Sequence, residues 1–251
     1  MDSRTRMKFI NLIMNRIISN PRSDRMFQIV STTWNPVSGC RHLCQYCWAR
    51  RLAETKLKHT RRYKNGFIPK LNYRTFSKRF KRNEIVFTAD MGDLFGAFVP
   101  SEWIFRVLRH IERYPKTYFL FLTKNPARYH EFLKYFPENA VLGATIETNK
   151  DDLYTECRIS RAPLPSKRYS AMKELEWDLK FISIEPILEF DLDEMVKWVK
   201  DIDPVLVFVG YDNWNNKLPE PRYYDTLKLI DRLEYITIVI RKTIRRAWYE
   251  V

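Results

Sequence analysis

Cys40, Cys44 and Cys47 lie within eight residues, in the run Trp34-Asn-Pro-Val-Ser-Gly-Cys40-Arg-His-Leu-Cys44-Gln-Tyr-Cys47. Disulfides at such spacings would be sterically awkward and would leave one thiol over. No signal peptide or transmembrane run is evident in the sequence, so a reducing, cytoplasmic setting is expected. Clustered thiols in such a setting point to metal. A structural zinc site wants four ligands, for which His42 and the remote Cys157 are the candidates. An iron–sulfur cubane normally takes four cysteines. Three leave one iron open to a substrate or cofactor, and that asymmetry favours chemistry at the cluster. His42 as fourth ligand would close it. Residues between ligands in a tight loop usually point away, so His42 is expected to face solvent or to support the loop. Cys157 reads as a plain buried thiol, with hydrogen-atom donor as the lesser reading.

The elements that must position this loop follow from the hydrophobic pattern. Runs at Phe27–Trp34, Glu84–Ala89, Thr117–Thr123, Ala140–Glu147, Leu179–Glu185 and Val205–Tyr211 are rich in β-branched and aromatic residues. Most are nearly continuous apolar stretches, as strands of a parallel sheet buried on both faces must be. Ile236–Ile240 could add another strand. Helical patterns fall between them at Ser101–Arg113, Pro126–Tyr135, Asp191–Lys200 and Pro221–Leu233, and residues 5–19 form an amphipathic helix expected to pack on the body. Six βα units in series predict an α/β fold, a partial (β/α)6 TIM-type barrel; a doubly wound open sheet is the alternative. One domain is expected over 1–251, with an N-terminal helical extension over 1–25, the barrel core over 27–215 and a C-terminal extension over 216–251. In a parallel barrel the loops after the strands form the mouth where active sites collect, and the three cysteines follow the first strand directly.

The C-x3-C-x-aromatic-C spacing after the first strand resembles the signature of the radical S-adenosylmethionine (radical SAM) superfamily, with Tyr46 in the aromatic position. Trp34-Asn35-Pro36, Ala89-Asp90-Met91-Gly92-Asp93-Leu94-Phe95, Leu122-Thr123-Lys124 and Ser183-Ile184-Glu185-Pro186 resemble, in order, a phage-associated branch near the spore photoproduct lyase group. The resemblance covers roughly residues 30–215. It implies a [4Fe–4S] cluster on Cys40, Cys44 and Cys47, with SAM on the open iron. One electron from a donor would then cleave SAM to a 5′-deoxyadenosyl radical. Many members carry Gly-Gly-Glu after the second strand. This chain has six Gly and no Gly-Gly pair, and Asp90-Met91-Gly92-Asp93 stands at that place.

Beside Tyr46, four strand-end residues are candidates for cofactor contact. Lys124 could pair with the SAM carboxylate or a substrate phosphate, or simply cap its strand. Glu147 suits a ribose diol or the SAM ammonium. Glu185 sits in an apolar strand and should bind a ligand or pair with a base such as Lys124. Asp90 and Asp93 flank Gly92, and Asp90 is preferred because it is nearer the strand end.

Residues 41–82 carry 14 of the chain's 44 Lys and Arg and one acid, Glu54, while the whole chain is +14. A field focused in this way attracts polyanions. Arg50, Arg51, Arg61, Arg62, Lys78, Arg79, Lys81 and Arg82 are the expected phosphate contacts of a basic insertion after the first strand. Interleaved Tyr63, Phe67, Tyr73, Phe76 and Phe80 would suit unstacked bases. The expected function is radical SAM modification or repair of a nucleic acid. The alternatives are the same chemistry on a peptide or small metabolite, and a non-catalytic, metal-stapled nucleic-acid-binding protein. No Walker loop, G-x-S-x-G or H-E-x-x-H is present, and no membrane association is expected.

Overall fold

The computed structural model describes residues 3–19 and 29–250. Seven strands form one sheet with every neighbouring pair parallel: β1 (Thr32–Trp34), β4 (Ile85–Thr88), β5 (Tyr118–Thr123), β6 (Ala140–Thr145), β7 (Lys180–Ile184), β8 (Leu206–Val209) and β9 (Ile238–Arg241). Two short strands, β2 (Val37–Ser38) and β3 (Lys70–Leu71), pair antiparallel beside it. The spatial order of the seven follows chain order without reversal. A doubly wound sheet requires a reversal, so the molecule is the curved, partial barrel, with β1 and β9 at its edges. The expected six strands become seven because β9 joins β8 in register. The start of the expected strand Phe27–Trp34 and the end of the N-terminal helix at Asn20-Pro21 lie outside the described residues.

Every residue of β4, β6, β7 and β8 is buried. The pleat sends alternate residues to two different cores. Val86, Phe119, Phe121, Leu142, Ile182 and Val207 face a ring of helices. That ring includes α3 (Ser101–Ile111), α4 (Tyr129–Phe132), α6 (Pro165–Lys173), α7 (Leu192–Ile202) and α8 (Tyr223–Glu234). The expected helix Pro126–Tyr135 is one α turn between two 3-10 turns. Asp191 starts α7 by accepting from the Glu194 backbone N–H at 3.0 Å.

The other residues of the same strands, Ile85, Phe87, Leu120, Val141, Phe181, Phe208 and Ile240, fill the barrel interior with Phe9 and Ile13 of α1 (Ser3–Ser19). Phe9 packs on Tyr118 with ring centroids 4.7 Å apart. Arg6 reaches Asp203 and the Asp178 carbonyl, and Arg16 reaches the carbonyls of Ile29 and Asn83. All these partners precede strands, so α1 closes the N-terminal end of the barrel. The C-terminal end stays open.

The insertion between β1 and β4 is built, not loose. It holds α2 (Trp48–Glu54), and it has its own small core of Ala49, Ala53, Tyr63, Phe67 and Met91. Phe76 and Phe80 pack edge-on against Trp34, each at 5.5 Å. Four of the five interleaved aromatics therefore anchor the insertion, three of them buried and Phe76 half-buried. Only Tyr73 of the five is exposed, and the Arg106 guanidinium lies over it at 5.2 Å.

Phe9 is fully buried at the barrel floor. Phe9→Ala should lower the stability by about 3–5 kcal/mol, read as an earlier urea midpoint with an unchanged slope. A shift below about 1 kcal/mol would mean that α1 is not part of the core.

Candidate cofactor site at the barrel mouth

The cysteine loop leaves β1 and is fastened at once to the turn after β4. The Ala89 N–H donates to the Trp34 carbonyl at 2.7 Å and the Gly39 N–H to the Met91 carbonyl at 2.8 Å. Gly39 and Gly92 form a parallel bridge. Gly39 must be glycine, and Gly92 leaves little room for a side chain. Gly39 has φ +89°, and a Cβ there would fall 2.2 Å from the Ile68 carbonyl oxygen, while one on Gly92 would meet the Gly39 oxygen at 3.0 Å. No Gly-Gly pair exists in the sequence, but the fold makes one in space. Asn35 completes the joint: its side-chain carbonyl accepts from the Met91 N–H at 3.0 Å and its amide donates to Asp90. Burial raises the Asp90 pKa, and the Asn35 bond opposes that rise.

The residues between the cysteines are held by two buried carboxylates. His42 lies between Cys40 and Cys44, and its Nε2 is 2.9 Å from Asp93. Asp93 also accepts from the Thr123 hydroxyl at 2.7 Å and from the backbone N–H groups of Lys124 and Phe95. Burial would raise its pKa, but His42 and these donors outweigh it and hold it below the ordinary value. His42 is thus buried, and it supports the loop.

Tyr46 lies between Cys44 and Cys47, and its hydroxyl donates to Glu147. Glu147 has no exposed surface. Lys124 and Tyr46 share one of its oxygens, and Arg168 of α6 takes the other. Burial pushes its pKa up, yet Arg168 and Lys124 prevail and hold it down at about 2. Lys124 also lies 5.1 Å from the centre of the Tyr46 ring. The expected pairing of Lys124 with Glu185 is therefore corrected: Lys124 serves Glu147. Glu185 instead faces Lys242, at the end of β9, at 3.7 Å, and accepts from the Ser183 hydroxyl at 3.2 Å. Burial moves this pair's pKa values in opposite directions, Glu185 up and Lys242 down.

Cys40, Cys44 and Cys47 are all free thiols, and all three border one cavity of about 810 Å³ in the mouth. Asp90, Asp93, Lys124, Glu185, Lys242 and Trp214 share its walls. Glu147 stands behind the wall. Cys157 lies outside the cavity, at the C-terminal end of α5 (Asp151–Glu156). The His42 N–H points at the Cys40 sulfur (3.4 Å) and the Arg50 N–H at the Cys47 sulfur (3.3 Å), while the Ser160 hydroxyl lies 3.1 Å from the Cys44 sulfur. Such donors stabilise thiolates bound to metal. Burial raises the Cys40 and Cys47 pKa values, so metal binding must displace protons. Among the described residues, no three His, Cys, Asp or Glu side chains converge on a single ion. A cubane places each thiolate on its own iron, so its ligands ring a space and need not meet at a point. Three thiols with N–H and O–H donors directed at them fit such a cluster.

The basic run divides. Arg51 and Arg61 are exposed and Arg50 and Arg62 half-buried, on the part of the insertion that the Cys40 N–H···O=C Phe67 bond ties to the cysteine loop. Lys78 is consumed by the Thr32 hydroxyl and the Thr33 carbonyl, both at 2.7 Å. Arg79, Lys81 and Arg82 are exposed, but they precede β4. A parallel crossover must return to the opposite end of the sheet, so Lys81 and Arg82 stand near the floor closed by α1, away from the mouth. Arg168, Lys242 and Trp214 were missed by the sequence reading. The Trp in Asp212-Asn-Trp214-Asn-Asn, a polar loop after a strand, was the one available signal.

The fold defines a class, the partial α/β barrel found in radical SAM enzymes. It is similar to a spore photoproduct lyase variant with bound AdoMet and dinucleoside spore photoproduct (TM-score 0.53, 11% identity, 79% of this chain and 60% of that one). It is also similar to a radical SAM methyltransferase from Sphaerobacter thermophilus (TM-score 0.55, 12% identity, 87% of this chain and 67% of that one). The chain spans about 60% of the length of the lyase it matches. Residues 26–210 match the family described as Protein of unknown function (DUF5131), and the chain belongs to that family. No curated protein matches it. None of the described helices is long and apolar enough to cross a membrane.

Glu147 sets a pH dependence. Its pKa is depressed in the folded state, so its stabilisation is complete above the ordinary carboxylate value of 4.5 and is lost as pH falls from there to about 2. The full effect is about 3 kcal/mol. Urea midpoints of the wild type should fall between pH 6 and pH 3. Glu147→Gln should start about 3–5 kcal/mol lower at pH 7, with Arg168 left uncompensated, and should show a flatter acid limb. Parallel limbs for the two proteins would remove Glu147 from this role.

Proposed function

We propose that this protein is a radical SAM enzyme acting on a nucleic acid, with a [4Fe–4S] cluster on Cys40, Cys44 and Cys47. The observation that carries the reading is the position of three free thiols, on a loop tied through one residue in each gap between them, at the open end of a partial parallel barrel. When bound, the cluster and SAM supply one-electron cleavage of SAM to methionine and a 5′-deoxyadenosyl radical. The chain's own residues hold and enclose that chemistry. Asp93 and Glu147 fix the cysteine loop through His42 and Tyr46. Buried and fully engaged, Glu147 acts as a positioning residue behind the wall and leaves cofactor contact to others. Asp90, Glu185 and Lys242 bear on the cavity, where carboxylates suit an ammonium and a cation suits a carboxylate. The apolar floor of Phe87, Leu122 and Ile240 keeps water from a reactive intermediate.

The neighbouring lyase structure holds a dinucleoside photoproduct, and a nucleic-acid substrate is consistent with the mouth-side cations Arg50, Arg51, Arg61 and Arg62. A strand that meets them would bind with a salt slope of about −0.7 per phosphate contacted. Lys81 and Arg82 stand near the other end of the barrel and play no part in this reading.

Anaerobic protein reconstituted with iron and sulfide, then given dithionite and SAM, should release 5′-deoxyadenosine. A variant with Cys40→Ala, Cys44→Ala and Cys47→Ala should release none. Iron-free, zinc-loaded wild-type protein that makes no product would favour the metal-stapled binding module instead.

A further inference from the structure

The loop after β8 presents a tryptophan to the mouth. Trp214 is 52% exposed although it borders the cavity. An indole left open at a site rim is an unspent apolar surface. Its loop is not slack. The Asp212 carboxylate accepts from the backbone and side-chain N–H groups of Asn216 at 2.7 and 2.9 Å. Arg245 donates to the Asp212 carbonyl at 2.7 Å, and the Thr243 and Asn213 side chains are 2.6 Å apart. Asn215 and Lys217 both adopt left-handed backbone, at φ +52° and +55°. A lysine in that region stores strain that the surrounding bonds must hold. The chain therefore spends hydrogen bonds and strain to fix an exposed indole at the mouth.

Arg51 completes the arrangement. It comes from α2, four residues after Cys47, and its guanidinium lies over the Trp214 ring at 5.1 Å while its Nη2 donates to Asn216 at 2.7 Å. A fixed indole with a cation stacked on it suits a planar ring that carries negative charge close by. Two such rings could enter this mouth, a nucleobase of the substrate and the adenine of SAM. SAM carries no phosphate, and its sulfonium is positive, so the Arg51 cation favours the strand.

We propose that Trp214 and Arg51 form the platform on which an unpaired base of the substrate stacks, with Arg51 meeting its phosphate. This deepens the nucleic-acid reading above and rests on it. It also moves base recognition from the insertion's aromatics, four of which are in cores, to the loop after β8.

The test is fluorescence anisotropy with a labelled, mixed-sequence single strand of ~12 nucleotides on the reconstituted protein. Trp214→Ala should weaken binding on the order of tenfold with an unchanged salt slope, and Trp214→Phe should stay within about threefold. Arg51→Gln should lower the slope by about 0.7. Calorimetric titration of SAM on the same proteins should show much smaller changes. Wild-type binding of the strand matched by Trp214→Ala would overturn the platform alone. Loss confined to SAM would give the ring to adenine and overturn it too. A wild type that cleaves SAM but binds no strand would remove the nucleic-acid reading, and the platform with it.

Discussion

Two buried carboxylates organise this molecule's working end. A carboxylate inside a protein needs partners that balance its charge and fill its lone pairs. Asp93 and Glu147 find theirs by reaching across the mouth: Asp93 to β5 and His42, Glu147 to the end of β5, α6 and Tyr46. His42 and Tyr46 lie one in each gap between the three cysteines. Each gap in the thiol spacing is thus pinned to the barrel wall by a different acid. The loop is held by charges on elements far apart in sequence, so its shape depends on the assembled barrel.

The same logic explains why the cavity and the three thiols sit at one end. Seven parallel strands point their carboxyl ends one way, and the helix α1 fills the other. The joint between Gly39 and Gly92 brings backbone against backbone where side chains would collide. Four of the insertion's five aromatics, which read as a recognition surface, pack to fasten α2 and the cysteine loop to the barrel. What remains open at the rim is Trp214, with the Arg51 guanidinium over its ring.

Much of the scaffold was legible. Parallel strands buried on both faces must be continuous apolar runs, and all seven lie within or beside such runs. The helices α3, α7 and α8 were legible because one face is apolar and the other wet. Three helices were not. In α6, Pro-Ser-Lys-Arg168-Tyr-Ser-Ala-Met-Lys, Arg168 points inward to Glu147, so the buried face carries a charge and the amphipathic pattern disappears. α2 is a short Arg-rich turn after Cys47, and α5 is only six residues long. The thiol motif was legible from spacing alone. Which acid meets which base was not: Lys124 lies 23 residues from Glu147 and 61 from Glu185, and only the strand order decides between them. The basic run read as one patch because a sequence does not show that a crossover carries its end to the far side of the sheet.

The central claim is that the three thiols hold a cluster with one iron left for SAM. Electron paramagnetic resonance of the reconstituted, reduced protein, recorded with and without SAM, tests it most directly. The account predicts about four irons per chain and a cluster signal whose shape changes when SAM is added. A loop that takes up zinc in place of iron, or a cluster signal indifferent to SAM, would contradict it.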